Sequence, residues 1–189
     1  MTMNTTTTDG GSNSDHPAAN IDTIVVDPDD VVAAMRRNRR DETEKRSHYL
    51  RVSPPFEGEK KSKPHVSEAH TYYPPEMDPK PLHMGASCLL VGHDAGERHP
   101  DFHDEWRFPN YGTEKALFRD EIEARDDDGG YRQLTDDEEA DWDDWWETVV
   151  EMWEDRVRHA LKNTEELTLT SQYPDIEDTT VAVRLEPAE

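Results

Sequence analysis

Three histidines, His93, His99 and His103, fall within eleven residues and are followed at once by Asp104 and Glu105, with His83 and Cys88 a little upstream. Imidazole nitrogens and carboxylate oxygens of this kind can hold zinc or another divalent ion. The gaps of five and then three residues match no specific ligand pattern, and the segment is rich in Asp, Pro and Gly. That composition reads as loop, which fixes no geometry, so a polar surface loop is the ordinary explanation. A metal-dependent enzyme on the 93–105 loop stands as the third functional reading. Cys88 sits in an apolar run and reads as an inert buried thiol. Ser87 lies in Gly85-Ala86-Ser87-Cys88, which is not a nucleophile elbow. There is no glycine-rich phosphate loop or dinucleotide fingerprint, so no cofactor is expected. Carboxylate pairs are everywhere in this chain and distinguish nothing. The balance is against an enzyme.

The second group of candidates is basic. From Arg36 to Lys63 the chain holds ten bases against five acids, while the whole chain has 21 against 44 and a net charge of -23. Arg36, Arg37, Arg39, Arg40, Arg46, Arg51, Lys60, Lys61 and Lys63 could track a phosphate backbone, with Tyr49, Phe56, Tyr72 and Tyr73 as stacking faces beside them. Phosphate contacts weaken steeply with salt, however, and the rest of the chain repels nucleic acid. Pairing of these bases with acids inside the fold competes with that reading. The third group is aromatic. Four of the five tryptophans, Trp142, Trp145, Trp146 and Trp153, lie close together, more than one small core usually needs. Trp is enriched in protein interfaces, so these four are candidates for a partner surface. The neighbouring acids Asp141, Asp143, Asp144, Glu147, Glu151 and Glu154 read first as a solvated face.

The elements that position these groups can be read from periodicity. Trp142, Trp146, Val149, Trp153, Val157 and Ala160 step by three or four, which predicts a long acidic helix over 136–162. Thr135 with Glu138 makes a capping box, and the acids of the first turn and the bases of the last suit the dipole. Asp27-Pro28 starts a helix that runs to Arg40 with Val31, Val32 and Met35 inward, after a short strand over 21–26. Strands are expected over 48–53, 65–73 and 82–91, with 57–64 as a polar turn between the first two. A helix over 113–125 places Leu117, Phe118 and Ile122 on one face. Alternating residues over 167–171 and 181–185 read as a closing hairpin. The sum is an α+β domain over 21–189: a small, mostly antiparallel sheet packed on two or three helices. Residues 1–20 are polar and nearly free of apolar side chains, and read as a disordered tail.

Apolar residues make up only 32% of the chain, yet five tryptophans and six tyrosines argue for folding rather than disorder. Charge of this size destabilises a compact state unless salt screens it, which points to a salt-rich cytoplasm. No apolar run approaches a membrane span, and the polar start has no signal-peptide core. The run Tyr49-Leu50-Arg51-Val52-Ser53-Pro54-Pro55-Phe56-x-Gly58, then Tyr73-Pro74-Pro75, Asp78-Pro79-x-Pro81-Leu82-His83-Met84 and Leu89-Leu90, resembles a family of uncharacterised haloarchaeal proteins. The resemblance spans about residues 25–91 and implies a salt-adapted source, not an activity. The expected function is a non-catalytic cytoplasmic interaction module of a halophile, binding a protein partner or itself. Nucleic-acid association through 36–63 is the alternative.

Overall fold

A computed structural model describes residues 16–40, 46–68, 73–74, 76–90, 106–169 and 177–187. The chain opens with β1 (Ile21–Val26) and turns directly into α1 (Pro28–Arg40). The turn works because the Asp27 carboxylate accepts the Asp29 N–H at 2.9 Å and Pro28 needs no partner at the first helical position. Val31, Val32 and Ala34 are buried, and Met35 packs beside them. Near the end of α1, Asn38 acts like a strand residue. Its amide donates to the His48 carbonyl at 2.9 Å, and its oxygen accepts the His48 N–H at 2.6 Å. This clamp docks β2 (Arg46–Val52) on the helix.

The strands divide into two sheets. A three-stranded antiparallel sheet has β2 at its centre, flanked by β4 (Lys63–Glu68) and β5 (Leu82–Gly85). A four-stranded sheet runs β3 (Gly58–Lys61), β1, β7 (Thr179–Leu185), β6 (Glu166–Leu169). Within it β1 is parallel to both β3 and β7, and only the β6–β7 pair is antiparallel. The α+β class is therefore as expected, but the larger sheet is mixed rather than antiparallel. The segment expected to be a polar turn supplies β3. Gly58 makes that possible: its φ of +60° turns the chain in a region where an L side chain is disfavoured, and β3 then lies along β1. The expected strand over 82–91 stops at Gly85, and a 3₁₀ turn (Ala86–Leu89) buries Ala86 and Leu89.

Two further helices follow, α2 (Tyr111–Glu121) and α3 (Asp136–Leu161). The capping box of α3 is present from both sides, with Glu138 accepting the Thr135 N–H at 2.8 Å. The main core joins Ile24 and Val26 of β1, Leu50 and Val52 of β2, Leu89 and Leu90, and the Trp153, Val157, Leu161 stripe of α3. Ala18 is fully buried in it and His16 is buried beside it, so residues 16–20 belong to the fold rather than to a tail. Among the described residues no helix is long and apolar enough to cross a membrane.

Candidate ligand-binding face

Side chains alternate across a strand, so the burial of Leu50 and Val52 on β2 sends Tyr49 and Arg51 to the opposite face. Register then decides their company. Tyr49 pairs with His65 on β4, and Arg51 pairs with Lys63 on β4 and His83 on β5. The rings of His65 and His83 lean toward each other across β2, with centroids 4.8 Å apart and planes 25° from parallel. Tyr49 extends the stack at 5.7 Å and 14° from the His83 ring. Tyr73 lies 5.6 Å from the same ring, and its hydroxyl is 2.7 Å from His83 Nε2. His83 and Lys63 are exposed, and Tyr49, Arg51, His65 and Tyr73 are half-buried. Burial lowers the pKa of His83, and the charges of His65 and Arg51 lower it further. His65 is shifted down by burial and then by Arg51. Both rings are thus biased to the neutral form near pH 7, in which they stack without mutual repulsion.

The remaining positions of this face are Ser47, Ser67 and Gly85. Among the described residues none of its positions is acidic, in a chain where Asp and Glu number 44. Arg51 adds a second irregularity: its Nε is buried with no hydrogen-bond partner among the described residues. An aromatic stack beside an arginine and a lysine, cleared of carboxylates, can take planar rings on its faces and an anion beside them.

The basic candidates do not form one strip. Arg36 on α1 pairs with Glu154 of α3 at 2.9 Å, and Glu154 also accepts from Arg158, which reaches Asp29. Arg37 is exposed on α1. Lys60 and Lys61 lie on β3, in the other sheet from Arg51 and Lys63. The side chains of Arg39, Arg40 and Arg46 are outside the described residues, as are Tyr72, His93, His99 and His103. Phe56 is buried and offers no stacking face. Among the described residues no group of three or more His, Cys, Asp or Glu converges as for a metal ion. Cys88 is half-buried, and burial raises its thiol pKa.

The tryptophans are placed differently from the expectation of a shared surface. Trp142 is 1% exposed and Trp153 is 2% exposed. The Trp142 indole N–H donates to the Tyr111 hydroxyl at 3.0 Å, and that of Trp153 donates to the Trp106 carbonyl at 3.0 Å. Tyr111 packs edge-on to Trp142 and Trp146, and Phe108 packs edge-on to Trp146 and Trp153. Trp142 and Trp153 are thus withdrawn from any partner surface, because they fasten residues 106–121 onto α3. Trp145 and Trp146 stay half-buried, and the Trp145 N–H has no acceptor among the described residues. The acids Asp141, Asp143, Asp144, Glu147 and Glu151 are exposed.

His65 was absent from the sequence-based candidates, and His83 stood among them only as a neighbour of the histidine loop. The signal that unites them is cross-strand register, which no local spacing carries. Compared with known families, the chain matches over residues 11–186 the family described as a domain of unknown function, DUF8009, and it belongs to that family. The match extends well beyond the 25–91 stretch. No curated protein and no solved structure matches the chain.

Proposed function

We propose that the chain is a non-catalytic, cytoplasmic binding module of a salt-adapted organism, and that its ligand is single-stranded nucleic acid held on the outer face of the three-stranded sheet. The observation that supports this reading is the acid-free stack of Tyr49, His83 and His65 beside Arg51 and Lys63. Cross-strand ring pairs also steady an exposed sheet face, by about 0.2–1 kcal/mol each. That role alone gives no reason to exclude carboxylates from the face of so acidic a chain. Concentrated salt removes most of what phosphate contacts contribute, whereas stacking is far less sensitive to it. With Arg51 and Lys63 as the two phosphate contacts, the logarithm of affinity should fall with the logarithm of salt at a slope of about -1.4. The test is fluorescence anisotropy of a labelled single-stranded oligonucleotide in molar KCl. Tyr49→Ala and His83→Ala should each weaken binding by about tenfold, since one stacked base is worth about 1–3 kcal/mol, and Arg36→Ala should not. Absence of binding, or binding that ignores Tyr49 and His83, refutes the proposal.

A protein partner is the second reading, and it now rests on Trp145 and Trp146 rather than all four tryptophans. It is favoured by the Trp145 N–H, which meets no acceptor among the described residues, and by exposed Leu117 on the adjoining α2. A mass of 21.8 kDa by light scattering in molar KCl, at concentrations where an interface of this kind would associate, removes self-association from it.

A further inference from the structure

Among the described residues two clefts border the 3₁₀ turn and β6, and they differ in charge. One, of about 380 Å³, is lined by Glu165 and Glu166 and so repels a phosphate backbone. The other, of about 250 Å³, lies between β5 and β6 and has no carboxylate in its lining. His83 belongs both to this second cleft and to the ring stack, so the two surfaces are continuous. Leu82, Leu167 and Leu169 supply apolar walls. Among the described residues β5 and β6 are each the outermost strand of their sheet, and an outermost strand offers backbone N–H and C=O groups to a ligand. The volume lies below the roughly 300–1,000 Å³ of clefts that hold drug-sized ligands. Apolar walls, a backbone rim and a small volume suit one planar heterocycle with a hydrogen-bonding edge. Asp178 acts electrostatically on His16 in the wall but is not part of the lining.

We propose that this cleft receives a single nucleobase next to those stacked on the sheet face, so that the bound strand is held with a base preference at one position. The inference rests on the nucleic-acid reading above. Leu169 lines this cleft and not the carboxylate-lined one, and it is half-buried on β6 on the same side as Leu167, so Leu169→Trp narrows the space from its apolar wall. Leu169→Met serves as the control of similar volume, and far-UV circular dichroism checks folding. The probes are oligonucleotides of about eight nucleotides, a length within single-domain site sizes, carrying an abasic site at each position in turn, together with uridine and adenosine monophosphates. In the wild type and Leu169→Met, one abasic position should cost about tenfold or more in affinity. In Leu169→Trp that penalty should vanish while Tyr49→Ala still weakens binding. Oligonucleotide binding that needs Tyr49 but keeps the same abasic profile in Leu169→Trp overturns the cleft and leaves the stacking face standing. Mononucleotide binding blocked by Leu169→Trp, without oligonucleotide binding, supports a base-sized site and overturns the stacking face. No binding of either probe overturns both.

Discussion

Replacing Trp142 with alanine is expected to lower the stability of the fold by about 3–5 kcal/mol, the range seen when buried aromatic residues are truncated. The indole is 1% exposed, and a buried aromatic of this kind removes about 150–250 Å² from water. At about 25 cal/mol per Å² that is about 4–6 kcal/mol, an upper bound because the unfolded chain is itself partly compact. Relaxation pulls the value down. Tyr111 is 50% exposed and Trp146 is half-buried, so both can settle into the space left behind. Trp142→Phe keeps a ring against Tyr111 and Phe118 and loses the indole bond, whose partner hydroxyl can turn to water; about 1–2 kcal/mol is expected. Trp145→Ala removes a half-buried ring whose indole N–H meets no acceptor among the described residues, and should cost about 1 kcal/mol. The assay is urea unfolding at fixed KCl followed by far-UV circular dichroism, because the substitutions alter fluorescence directly. Small domains are stable by only about 5–15 kcal/mol, so the alanine variant should show a large fall in midpoint. A Trp142→Ala loss under about 1 kcal/mol, or a larger loss in Trp145→Ala, refutes the assignment of Trp142 to the interior.

Glu138 gives an acid-side prediction. Its carboxyl is lowered from 4.5 to about 2, first by the Arg132 hydrogen bonds and then by the Thr135 backbone N–H. A depressed folded-state pKa stabilises above the unfolded value and is lost as pH falls through the folded one, so the advantage of wild type over Glu138→Gln should shrink between pH 4.5 and about 2. A difference constant across that window refutes it. Glu123 closes α2 in the left-handed region at φ 54°, where the Ala124 N–H meets the Arg119 carbonyl at 2.8 Å and the Glu123 N–H meets that of Asp120 at 3.2 Å. Glycine suits that position, so Glu123→Gly should raise stability by up to about 1 kcal/mol in urea unfolding, and a loss would contradict the cap. With a net charge of -23, the unfolding midpoint should climb steeply as KCl rises from about 0.01 to 1 M, where the screening length falls from about 30 to 3 Å. A flat response would remove the argument for salt adaptation.

Features encoded within a few residues were legible in the sequence. The Thr135–Glu138 box, the Asp27-Pro28 start and the 3.6-residue stripe of α3 each rest on neighbours along the chain, and they stand where spacing places them. Errors arose where a distant segment or an unmarked backbone conformation decides. Nothing between Glu57 and Pro64 says that a polar stretch will be recruited as β3, because its partner is β1 across the intervening helix. The helix expected to reach Arg125 ends at Glu121, since its left-handed cap falls on a glutamate rather than a glycine. Four tryptophans looked too many for the interior because the second aromatic cluster, built with Phe108, Tyr111 and Phe118, was not visible as a cluster. The stacking face was hidden for the same reason as β3. Tyr49, His65 and His83 share a surface only through the pairing of three strands.

The position of β1 sets an order on the birth of this protein. Thr23 hydrogen-bonds along a strand that includes Ala182, almost the whole chain away. A ribosome releases β1, α1 and the three-stranded sheet long before β7 is made. Through that interval β1 has β3 on one side and a bare edge on the other. Closing so long a loop is slow, and an open edge invites pairing with the wrong strand. Synthesis halted before Thr179 therefore yields a chain able to form most of its elements but primed to aggregate, and the C-terminal hairpin doubles as the seal that ends this exposure.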